Sequence, residues 1–112
     1  MSATPMTPSD FEALQTDVHA VFSALYLIDV DLLSVEERKQ HQQVLAAAYL
    51  AFVNAENARY TALSTKAKSE LGELAGHVKT MRTQLAELEV PSEQLGLLGK
   101  GLDALARLAK LL

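Results

Sequence analysis

Apolar residues recur along this chain at spacings of three and four, the pattern of helices that bury one face. Phe11, Leu14, Val18, Val21, Leu25 and Ile28 form the first such stripe, and Phe22 widens it. Ser9 followed by Glu12 reads as a capping box, in which each side chain accepts a backbone N–H left unpaired in the first turn, and Asp10 suits the positive end of the helix. A first helix is therefore predicted over Ser9 to Val30. Ser34 with Glu37 repeats the capping box and opens a second helix, so the short link before it makes the two helices an antiparallel hairpin.

From Val35 to Gly72 no Pro or Gly interrupts the helical period. Poorer helix formers gather between Asn54 and Ser69, and a turn near Thr61 to Thr65 gives a second helix over Ser34 to Leu63 and a third over Thr65 to Glu89. The alternative is one continuous rod from Val35 to Glu89, roughly 80 Å long at 1.5 Å per residue, which would need a dimer to cover it. The third helix carries the most regular repeat of the chain, Ala67, Leu71, Leu74, Val78, Met81, Leu85 and Leu88. Val90 and Pro91 end it, and Ser92 caps a fourth helix to Leu111 with the stripe Leu95, Leu98, Leu102, Leu105 and Ala109. The expected fold is all-α, an antiparallel four-helix bundle, with residues 1–8 as a disordered leader before a single domain over 9–112.

Composition agrees with that reading: 49% of the 112 residues are hydrophobic, only 5% are aromatic, and there is no Trp or Cys. Without Cys there are no disulfides, thiolate nucleophiles or cysteine metal ligands. Met1 to Pro8 has neither a basic start nor an apolar run, so a cytoplasmic location is expected. The most apolar stretch, Val44 to Val53, is about half the length of a bilayer span, which argues against a membrane segment.

Charge is where the chain is uneven. The first 37 residues hold seven acids and no Lys or Arg, while all ten basic residues follow Glu37, within a net charge of −4. Glu12, Glu36 and Glu37 are accounted for by capping or first-turn positions, leaving Asp10, Asp17, Asp29 and Asp31 as a candidate surface for a basic protein partner. The competing expectation is that these acids dock on the basic part of their own chain.

Other chemistry is thin. Glu37 with His41 and Glu73 with His77 each lie one turn apart, but a di-metal bundle needs Glu-x-x-His segments and further carboxylates, so these pairs and His19 read as solvated and no metal is expected. Gly96, Gly99 and Gly101 lack the preceding strand of a nucleotide-binding turn and read as a flexible or closely packed part of the fourth helix. Lys66, Lys68, Lys79, Arg82, Lys100, Arg107 and Lys110 are diluted by acids and have no aromatic stacking platforms between them, which speaks against nucleic-acid binding.

No catalytic constellation or cofactor motif is present, so the sequence predicts a protein-interaction module rather than an enzyme: an adaptor, secretion chaperone or toxin-neutralising partner using its acidic N-terminal face. The alternative is a self-associating structural bundle, a possible homodimer, joined through Leu98, Leu102 and Leu105 or through the small residues Gly72 and Gly76.

Overall fold

A computed structural model describes residues 6–112. Five α-helices are found: α1 Pro8–Tyr26, α2 Val35–Asn57, α3 Thr65–Leu85, α4 Pro91–Lys100 and α5 Leu102–Leu111. No described residue is in a strand. Single 3-10 turns, Val30–Leu32 and Tyr60–Ala62, precede α2 and α3. The expected leader falls outside the described residues over 1–5, whereas Met6, at 3% exposure, belongs to the core.

The start of α1 corrects the expected capping box. Thr7, not Ser9, is the N-cap; its hydroxyl accepts from the Asp10 N–H at 3.1 Å while the Asp10 carboxylate accepts from the Thr7 N–H at 3.0 Å. Pro8 explains the shift, because its fixed φ suits the first helical position and its missing N–H costs nothing there. Ser34 and Glu37 form the box predicted for α2, with mutual bonds of 3.1 and 2.9 Å. Ser64 caps α3 through the Ala67 N–H. The continuous rod does not form, since α2 stops at Asn57 and its direction is lost over the following turn.

The single fourth helix is also corrected to two. Gly101 separates α4 from α5, and a Cβ there would collide with the Met81 methyl, as one at Gly99 would with the Gln40 amide. At these glycines the ends of the Met81 and Gln40 side chains occupy the space a Cβ would take, so a larger residue would require those side chains to move.

Packing follows a diagonal order. α1 lies between α2 and α3, and the α4–α5 pair packs on α2 and α3 from the opposite side, so the consecutive helices α2 and α3 are not neighbours. α3 runs parallel to α1, as shown by Met6 N–H bonding Lys68 O and by the Arg82–Asp17 pair further along both helices. α5 runs parallel to α2, with Gln40 beside Gly99 and Asn54 donating to Ala109 O at 2.8 Å. The antiparallel expectation therefore holds for α1 with α2 and for α3 with α5, but not for the other two contacts.

A thirty-residue period runs through this arrangement. Phe11, Leu14, Val18, Val21 and Leu25 of α1 correspond to His41, Val44, Ala48, Ala51 and Ala55 of α2 and to Leu71, Leu74, Val78, Met81 and Leu85 of α3, and all are buried. The turns repeat as well: Leu33–Ser34 leads into α2 as Leu63–Ser64 leads into α3.

Candidate interaction surface

The four acids selected from the sequence have separate surroundings. Asp10 is exposed and committed to the α1 cap, where the backbone N–H of Thr7, then its hydroxyl, holds the carboxyl below the usual carboxylate range. Asp17 is buried and accepts from Arg82 Nη1 at 2.6 Å. Asp29 caps the first 3-10 turn through the Asp31 N–H at 3.0 Å. Asp31 is exposed in that turn at the tip of the α1–α2 hairpin, which Arg38 pins by donating to Val30 O at 2.9 Å. Asp10 and Asp17 lie along α1, and Asp29 and Asp31 lie beyond its far end, so the four are not one continuous face.

The residues expected at a self-association seam lie largely within the chain's own packing. Leu98 and Leu105 are fully buried, and Leu102 is half-buried against the core. Gly72 lines a groove of about 290 Å³ between α1 and α3 that Asp10, Asp17 and Lys79 also border. Gly76 is exposed, with open space where a Cβ would stand, so no helix is drawn close there.

His41 corrects a further expectation. It does not pair in solvent with Glu37 but is buried, its Nε2 bonded at 2.8 Å to Leu25 O near the end of α1, a carbonyl that also accepts the Ile28 N–H at 3.3 Å. His77 is exposed, and His19 is exposed with its ring 5.2 Å from Phe52. Among the described residues no three His, Asp or Glu side chains gather as a metal site, and no helix is long and apolar enough to cross a membrane.

The surface that does stand out is one the sequence reasoning passed over. Between Lys39 and Glu56, sixteen consecutive residues of α2 carry no Asp, Glu, Lys or Arg. A helix with one face in water normally places charges there. Here the exposed positions are Gln40, Gln42, Gln43, Ala46, Tyr49 and Leu50. The facing part of α1, Val18 to Ile28, is likewise free of formal charge. Seven of the eight large hydrophobic side chains exposed among the described residues belong to this hairpin and its connection, Tyr26, Leu27, Val30, Leu32, Val35, Tyr49 and Leu50.

Two shallow grooves flank the outer ridge of α2. Toward α1, Phe22, Tyr26, Gln42, Leu45, Ala46 and Tyr49 enclose about 390 Å³. Phe22 organises this side, stacked on Phe52 at 5.3 Å with a 3° interplanar angle and tilted against Tyr49 at 5.7 Å and Tyr26 at 6.1 Å. Such ring contacts add about 0.5–1.5 kcal/mol beyond area burial. Toward α5, Ala47, Leu50, Ala106, Ala109 and Lys110 border a smaller groove of about 220 Å³. The available signal was the absence of charge from Gln40 to Ala55, which the length argument against a membrane span did not exhaust.

Chemically, this surface offers aromatic rings, aliphatic groups and hydroxyls and amides that both donate and accept. It suits docking against another apolar protein surface. Comparisons with protein-family models, curated proteins and solved structures find no match to this chain.

Proposed function

We propose that the protein is a small non-catalytic interaction module whose docking surface is the outward face of α2 with the adjoining aromatic groove of α1. The observation that carries this reading is the charge-free run from Gln40 to Ala55 on a helix with one side in water, coupled to the exposed Tyr26, Tyr49 and Leu50. Leaving such side chains exposed gains nothing for the isolated fold, whereas removing their remaining apolar surface from water contributes about 25 cal/mol per Å². Tyr is also enriched among the residues that dominate interface energies.

A direct test follows from the thirty-residue register. Tyr49 and Leu50 correspond to Lys79 and Thr80 of α3, so Tyr49→Lys with Leu50→Thr gives α2 the outer residues of its counterpart. A tagged wild-type chain should retain a stoichiometric protein from its own cell extract, and the double variant, with unchanged helical circular dichroism, should lose it. Equal retention by both would overturn the proposed face.

The hairpin tip supports a second, smaller reading. Asp31 is exposed beside Leu32, itself 67% exposed, so the tip combines an acid with apolar surface. It would act as a rim that steers a basic partner. Charge reversal at Asp29 and Asp31 should slow association at low salt, and unchanged rates would remove the tip from the docking surface.

A further inference from the structure

We draw no further inference here: the strongest candidate, the uncharged outer face of α2 with the aromatic groove beside it, is an unpartnered surface, and nothing in the structure shows what covers it.

Discussion

α2 and α3 are the same helix built twice with opposite choices. Each follows a 3-10 turn and a leucine, each begins at a serine cap, and each buries the same five positions thirty residues apart. In α3 those positions hold Leu71, Leu74, Val78, Met81 and Leu85, and the outer face holds Glu73, Lys79 and Arg82. In α2 three of the five are alanine, fully enclosed, and the large apolar side chains Tyr49 and Leu50 stand outside. Helix α3 thus puts its bulk into the core and its charge into water, the ordinary division of an amphipathic helix. α2 draws its neighbours close with small residues and presents its bulk outward. The same backbone pattern therefore makes a charged outer face in one place and an uncharged, partly apolar one in the other.

Core truncation should separate the two helices most strongly. Leu71→Ala removes a fully buried side chain and should cost about 2–5 kcal/mol in denaturant unfolding, whereas Leu50→Ala on the outside of α2 should fall within about 0.5 kcal/mol. A similar cost at both positions would break the comparison. Filling α2 should come next: Ala51→Met copies Met81 into a site with no exposed surface and should destabilise by about 1–3 kcal/mol through overpacking. A neutral result would mean that the alanine core of α2 is not tightly closed.

Smaller effects sharpen the match at the caps. Ser34→Ala and Ser64→Ala should each cost about 1 kcal/mol, with Ser34→Ala the larger because only α2 has a reciprocal acid, Glu37 opposite Ala67. Thermal melts of the two variants report the order directly. The smallest difference belongs to α1, whose cap acid Asp10 has its carboxyl pKa lowered by the Thr7 N–H. A lowered folded-state pKa means that this contribution is complete above the ordinary carboxylate range and disappears as pH falls through the lowered value. The melting difference between wild type and Asp10→Ala should therefore be present at neutral pH and shrink in strong acid.

Much of this fold could be read from the residues, because its signals were local. The stripe of α1, the Ser34–Glu37 box and the Pro91 break each depend on neighbours within one or two turns. The α1 cap lies two residues before Ser9 because Pro8, which resembles the preceding leader in sequence, is the first helical residue. The break at Gly101 was visible as a glycine cluster, but the nearness of the Met81 side chain to that glycine is a long-range contact. Long-range order was also what escaped: helix periodicity cannot tell whether α3 packs beside α2 or across from it. The burial of Asp17 escaped for the same reason, since its partner Arg82 lies 65 residues away along the chain. The α2 face does carry a local signal, the run from Gln40 to Ala55 without formal charge, but its length against a bilayer says nothing of which side of the helix faces water.

The central claim is that the outer face of α2 is covered in the working protein and that of α3 is not. Hydrogen exchange resolved by residue, on the wild type in its native assembly and on the Tyr49→Lys, Leu50→Thr variant, tests it most directly. The account predicts that amides of α2 from Gln42 to Val53 exchange more slowly in the wild type than in the variant, while amides of α3 from Gly72 to Thr83 exchange alike in both. Equal protection of α2 in the two proteins, with both folded, would contradict it.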